Sequence, residues 1–371
     1  MSFFSSSNIQ TFFELLRAGL WEKDARLSQY KNIDYSAVMR LAEVQSVVGL
    51  VAAGLEHVMD VKVPQQWALQ FAGQTLQLEQ RNKAMNAFIA KLIEKLRNKD
   101  IYTLLVKGQG IAQCYERPFW RACGDVDLFL SNGNYQNAVN ALTSLTSEIE
   151  EENGYTKHLG LKIDKWEVEL HGSLRSELWK QLDNMLDEVQ EDIFCGGAVR
   201  SWINGSSQVF LPRADEDVVY VFAHILQHFF KGGIGLRQIC DWCRLIYTYR
   251  DSLNYRLLES RVHKAGIMTE WKVFSTLAVD YLGMPDEYMP LYDGSNKWKK
   301  KAGRLLSFVL ETGNFGHNRD MSYRNEEAAI SRKWKTFYHI TSDTFKQFAI
   351  FPLDSIRVWC RMIGIGLKGL L

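Results

Sequence analysis

Between residues 9 and 98 the apolar positions recur every three or four residues, through Phe12, Phe13, Leu15 and Leu16, then Val38, Leu41, Val44, Val48, Val51 and Leu55. That is the spacing of one buried helix face, and it predicts three or four helices, the last long and charged over residues 64–97. At Ile101 the pattern changes. The run from Ile101 to Val106 is rich in branched and aromatic residues, reads as a strand, and is closed by Lys107-Gly108. A helix over 109–115, a loop through Pro118, a strand over 126–130 and a helix over 135–145 are expected next. After a polar turn at Asn153-Gly154, residues 156–163 and 166–171 alternate as the two arms of a hairpin across Asp164-Lys165. Trp166, Val168 and Leu170 then share one face, and Glu167, Glu169 and His171 share the other.

Beyond Leu174 the helical spacing returns, with an extended piece over 208–211. Pro212 and the acidic Asp215-Glu216-Asp217 mark the start of a helix through His228, because carboxylates favour the positive end of the helix dipole. Gly232-Gly233-Ile234-Gly235 breaks it, and further helices are expected over 236–249, 255–265 and 268–282. The fold class is therefore α+β: a helical region over 1–99, a small mixed-sheet α/β core over 100–210 and a mainly helical region over 211–371.

The chain has 371 residues, enough for two or three packed units, and its 46% hydrophobic and 12% aromatic content excludes disorder. Only 6 prolines suit a largely helical protein. With 44 basic against 43 acidic residues, the net charge of +1 calls for no nucleic-acid partner. The first twenty residues lack the pattern of a secretory signal, and the longest apolar run, residues 46–55, is too short to span a bilayer, so a cytoplasmic protein with no transmembrane segment is expected. The six cysteines are read as reduced thiols.

The chemistry concentrates in the strand after Arg121-Ala122-Cys123-Gly124. Asp125 and Asp127, at i and i+2, project to one side while Val126 and Leu128 pack behind them. Buried carboxylates without a partner are costly, and hard divalent cations prefer carboxylate and phosphate oxygens, so the pair reads as a magnesium or manganese site. A third carboxylate on a neighbouring strand would complete a two-metal arrangement for in-line phosphoryl displacement. Glu167 and Glu169 face the same way, and both are candidates. Gly108 allows close backbone approach where strand turns into helix, and Lys107 and Arg121 are placed in sequence to offset phosphate charge or to pair with the aspartates.

Lys107-Gly108, Cys114-Tyr115, Arg121, Gly124-Asp125-Val126-Asp127-Leu128 and the later Val168-Glu169-Leu170-His171 resemble the uncharacterised nucleotidyltransferase family of the DNA polymerase β-like nucleotidyltransferase superfamily. The resemblance extends over roughly residues 41–282. It implies a small mixed-sheet core flanked by helices, magnesium and a nucleoside triphosphate as ligands, Asp125, Asp127 and Glu169 as metal-binding and catalytic residues, and Lys107, Gly108, Gln109, Arg121 and Gly124 around the nucleotide. It favours Glu169 over Glu167. Gln109 stands where many members of the wider superfamily have Gly or Ser, which leaves the phosphates to backbone amides and Lys107. The resemblance also implies a polar wall from His224, His228, Arg237 and Asp241, with His171, facing the acceptor.

The implied reaction moves a nucleoside monophosphate onto a hydroxyl of a small molecule or protein. The competing expectation is a catalytically inactive nucleotidyltransferase fold acting as a binding or regulatory protein through its helices. Other features have plainer readings. His224 and His228 at i, i+4 with Cys240 and Cys243 have zinc-like residue types, but the thiols lie in an apolar helical pattern and read as core. The run Lys297, Lys299, Lys300, Lys301 and Arg304 reads as a solvated helix face, residues 313–317 as a turn, and the apolar tail over 345–371 as docked on the body.

Overall fold

The computed structural model describes residues 7–196, 199–316 and 329–368 and is 62% helix with one seven-stranded mixed sheet. Four helices come first: α1 (Ser7–Trp21), α2 (Tyr35–Val44), α3 (Val48–Glu56) and α4 (Gln65–Arg97). The sheet region follows as β1 (Leu104–Val106), α5 (Gly108–Ala112), β2 (Asp125–Phe129), α6 (Asn132–Thr143), β3 (Glu148–Ile149), β4 (His158–Ile163), β5 (Trp166–His171), α7 (Lys180–Cys195), β6 (Val199–Asn204) and β7 (Ser207–Pro212). The remaining helices are α8 (Ala214–Lys231), α9 (Leu236–Tyr249), α10 (Tyr255–Ala265), α11 (Met268–Leu282), α12 (Asn296–Thr312), α13 (Ala329–Phe348) and α14 (Pro352–Lys368). Among the described residues no helix is long and apolar enough to cross a membrane.

The strand order is β3-β4-β5-β2-β1-β7-β6, with β2 parallel to β5, β1 parallel to β7 and the other neighbours antiparallel. The alternation read from sequence divides the interior in two. Leu105, Val126, Leu128, Val168 and Leu170 face one way and pack against Met85, Ile89 and Leu96 of α4 and Ala138 and Leu142 of α6. Leu104, Val106 and Phe129 face the other way, into a larger core that runs from Ile9 and Phe12 through Phe222, Trp242 and Trp271 to Phe351. Helices from both ends of the chain thus share one core on the second face. Trp21 Nε1 donates to Leu282 O at 2.6 Å, and Gln45 bridges Val309 O and Leu236 N.

Several expected features take a structural role. Lys301 Nζ and Arg304 Nη1 of the basic run donate to Ile350 O and Ala349 O, fastening α12 to the turn before α14. Asn314 in the 3-10 turn Asn314–Gly316 is buried and hydrogen-bonded to Gln238 and Ser46, while His317 lies outside the described residues. The tail forms α14 through Gly364 and Gly366, and Gly369 lies outside the described residues. Cys240 and Cys243 are buried free thiols on α9. The strands β3 and β6 were not expected: β3 is two exposed residues, and β6 shows half-exposed positions where a core strand would alternate cleanly.

The crossing of α1 and α3 depends on glycine. A Cβ on Gly54 would lie 1.9 Å from Leu15 O, and one on Gly19 would lie 1.8 Å from Leu50 O. Because these obstacles are backbone, no rotamer change relieves them. Gly54→Ala should therefore cost about 2–3 kcal/mol of stability in urea unfolding, as overpacked cores do. A loss below about 0.5 kcal/mol would show that the two helices can part freely.

Candidate active site

The cleft opens on the sheet face that carries the larger core. Parallel pairing of β2 with β5 sets Asp127 against Glu169 and Asp125 against Glu167, so the acidic positions of the two strands become neighbours on one face. Carboxylate oxygens of Asp125, Asp127 and Glu169 all lie within 4.8 Å of one another, while Glu167 is exposed and outside the group. Of the two carboxylates that alternation left open, Glu169, which the family resemblance favours, is the one that the fold brings to the aspartates.

The charges around this trio are compensated unevenly. Lys107 Nζ sits 2.6 Å from Asp127 Oδ1, and His171 Nε2 lies 2.8 Å from the same oxygen. Lys107 ends β1 with φ 56°, a left-handed value rare for a side chain of this kind, and Gly108 follows at φ +40°. A Cβ at Gly108 would meet Cys123 Sγ at 3.3 Å and Asp125 O at 3.4 Å, so the turn lies close against the start of β2. Burial works against the Lys107 ammonium, but Asp127 above all, then Tyr220, Glu169 and Asp125, hold its pKa above the ordinary lysine value. Among the described residues Asp125 has no such partner. Burial and the neighbouring Asp127 and Glu169 raise its pKa against the weaker pull of Lys107 and Arg237.

Glu169 is held by imidazoles. Its Oε2 is 3.1 Å from His158 Nε2 and 3.4 Å from His171 Nε2. Burial alone would raise its pKa, but the two histidines and Lys107 carry it well below the usual carboxylate range. His171 is in turn raised: burial and Lys107 oppose its charge, and Asp127 and Glu169 outweigh them. His158 was not anticipated, although its position was legible. A two-residue turn that pairs Ile163 with Trp166 must pair His158 with His171 five steps further along.

The opposite wall comes from α8 and α9. His224 and His228 meet at 2.8 Å between Nε2 atoms, so one donates and the other accepts. Burial and Lys107 keep both neutral, with His228 pushed down to about 3. Asp241 is the anchor of this wall. It accepts both Arg121 Nε at 2.8 Å and Nη2 at 2.7 Å, the Tyr115 hydroxyl at 2.8 Å, and Arg237 Nη1 at 3.5 Å. Arg121 thus pairs with Asp241 and not with Asp125 or Asp127, and Arg237 is a loosely held cation of the cleft.

Gln109 and Gly124, expected around the nucleotide, do not line the cleft. The buried Gln109 amide turns into α4 and donates to Asn82 Oδ1, while Asn82 Nδ2 holds Phe119 O and Arg121 O. The effect is to tie the Gly108 turn and the Arg121 segment to one side chain. The Gly124 carbonyl faces Arg81 at 3.5 Å.

The cleft has a volume of about 120 Å³, smaller than the roughly 300–1,000 Å³ common for ligand pockets. A second chamber adjoins it, shares Lys107, Glu169, His224 and His228, and is lined further by His158, Arg175, Glu177 and Lys231. The acidic trio offers only oxygen donors and carries more negative charge than Lys107 offsets, which fits a hard divalent cation.

A family profile described as uncharacterised nucleotidyltransferase matches residues 31–283, more than half of the chain and close to the span that the motifs suggested. No curated protein and no solved structure matches it. The matched span contains the sheet, the acidic trio and both walls of the cleft, and the chain belongs to the uncharacterised nucleotidyltransferase family.

Proposed function

We propose that the protein is a magnesium-dependent nucleotidyltransferase that moves a nucleoside monophosphate from a nucleoside triphosphate to a hydroxyl acceptor, a small molecule or a protein, with release of pyrophosphate. The observation that carries this reading is the convergence of Asp125, Asp127 and Glu169 on one face beside the Lys107-Gly108 turn. Magnesium held by the three carboxylates would neutralise phosphate charge and favour in-line displacement, in the manner of two-metal sites.

The chain's own groups divide the remaining work. Arg237, only loosely paired, and the turn at Gly108 receive the triphosphate from either side of the cleft. Lys107 pairs with Asp127, and with a cation held by that carboxylate its ammonium would be free to reach the phosphate oxygens. Glu169 stands between the nucleotide cleft and the second chamber, where it meets the acceptor hydroxyl and takes its proton. The imidazoles of His158 and His171 keep it ionised for that task. Glu169 facing the aspartates supports catalysis over the alternative of an inactive binding module, for which a carboxylate turned away would be expected.

Asp125 and Asp127 should respond differently to neutralisation. Asp127→Asn strands the Lys107 ammonium, and breaking such a buried pair costs about 3–5 kcal/mol. Asp125→Asn removes a carboxylate crowded by two others, so the metal-free protein should keep its stability or gain about 1 kcal/mol. Calorimetry on Asp125→Asn should find magnesium-dependent nucleoside triphosphate binding weakened at least about 100-fold, since the ion loses a direct ligand. Wild-type affinity in a folded Asp125→Asn would overturn the assignment.

Glu169→Gln tests the third carboxylate. Magnesium-dependent nucleotide affinity should weaken about tenfold or more, since the ion loses one of its three ligands, and pyrophosphate release at saturating nucleotide should fall about 100-fold, the scale of a lost general base. A loss of affinity with turnover at saturation unchanged would instead give Glu169 a role in binding alone.

A further inference from the structure

We propose that His158, Glu169 and His171 form a second cation site, selective for a transition metal such as zinc, beside the oxygen-only trio. The β4–β5 hairpin places all three on one face: His158 pairs with His171 in register, and Glu169 precedes His171 by two residues. The two imidazole rings lie 4.9 Å apart, and the three donor atoms lie within 4.8 Å of one another. Both Nε2 atoms converge on a single oxygen, Glu169 Oε2, at 3.1 and 3.4 Å. Zinc bonds of about 2.0–2.1 Å at tetrahedral angles separate ligand atoms by about 3.4 Å, so the trio needs little movement to enclose an ion.

The donor chemistry distinguishes the neighbouring sites. Two imidazoles and one carboxylate suit zinc and other late first-row metals, whereas three carboxylates suit magnesium. His171 is buried, but His158 and Glu169 have side chains about 31% and 30% exposed to the second chamber. An ion there keeps an open coordination position toward that chamber and can exchange. His171 Nε2 also contacts Asp127 Oδ1 at 2.8 Å, a contact it must give up to coordinate the ion. Occupancy of the histidine trio therefore draws both Glu169 and His171 away from the magnesium carboxylates. The site itself is argued from donor geometry and does not depend on the nucleotide reading.

The test is titration of the metal-stripped full chain near neutral pH with cobalt(II) alone, followed by zinc. An intense visible band of a four- or five-coordinate ion should saturate at one cobalt per chain and be discharged by zinc. It should persist in Asp125→Asn and weaken at least about tenfold in His158→Gln, a ligand loss costing no less than the loss of a supporting group. Circular dichroism verifies the fold of each variant. Should His158→Gln fail to fold, long-range 1H–15N NMR of the wild-type chain reads the same point, because zinc should shift the Nε2 signals of two imidazoles. Absence of the band, a band lost in Asp125→Asn but kept in His158→Gln, or unshifted imidazoles under zinc would each overturn the proposal.

Discussion

Three carboxylates held within 4.8 Å of one another in a partly buried cleft repel strongly, and the fold around them is organised to bear that charge. Lys107 supplies the direct offset at 2.6 Å from Asp127, and it reaches that position because the chain leaves β1 with a left-handed residue followed by Gly108. The strained turn and the ion pair belong together. A turn in ordinary conformation would carry the ammonium elsewhere, and the buried Asp127 would lose its cation. The second cationic group, Arg121, is committed to Asp241 by two hydrogen bonds, which keeps it from collapsing onto the aspartates and sealing the cleft.

The helices on both sides of the sheet serve this arrangement. Asn82 of α4 fastens the Gly108 turn through Gln109 and the Arg121 segment through two carbonyls. Gly49 of α3 lets that helix press against the turn just before Arg121, since a Cβ there would lie 2.0 Å from Trp120 O. From the other end of the chain, α8 brings His224 and His228 and α9 brings Arg237 and Asp241 across the cleft. The cores follow the two faces of the sheet more than position along the chain, because α1 to α3 join α8 to α12 on the site face while α4 and α6 cover the opposite one.

Much of this was legible in residue order, for identifiable reasons. The bounds of α9, α10 and α11 were readable because apolar spacing ran uninterrupted between glycines and an asparagine cap, Asn254, which accepts from Leu257 N. The β4–β5 hairpin was readable from strict alternation. β6 was not, since its exposed edge position lets polar and apolar residues stand on the same face. The period of two put Asp125 and Asp127 on one face and left Glu167 and Glu169 both open, the family motif favoured Glu169, and the partner of Arg121 was out of reach because Asp241 lies 120 residues away. Gln109 is expected at the nucleotide from its place in the motif beside the glycine turn, while its side chain turns into α4 and donates to Asn82.

Glu169 links the two halves of the cleft. The carboxylate that completes the acidic trio is the one on which His158 and His171 converge, and His171 also touches Asp127. Two imidazoles beside a carboxylate lower its proton affinity, so Glu169 remains charged where Asp125, lacking such support, retains its proton to higher pH. The crowded trio thus combines one member whose proton affinity is lowered with one whose proton affinity is raised. A cation held on the Asp125 side would relieve the repulsion that raises Asp125, whereas one held on the histidine side would compete for Glu169 itself. The same side chain therefore couples the acidic cleft to the second chamber, since it lines both.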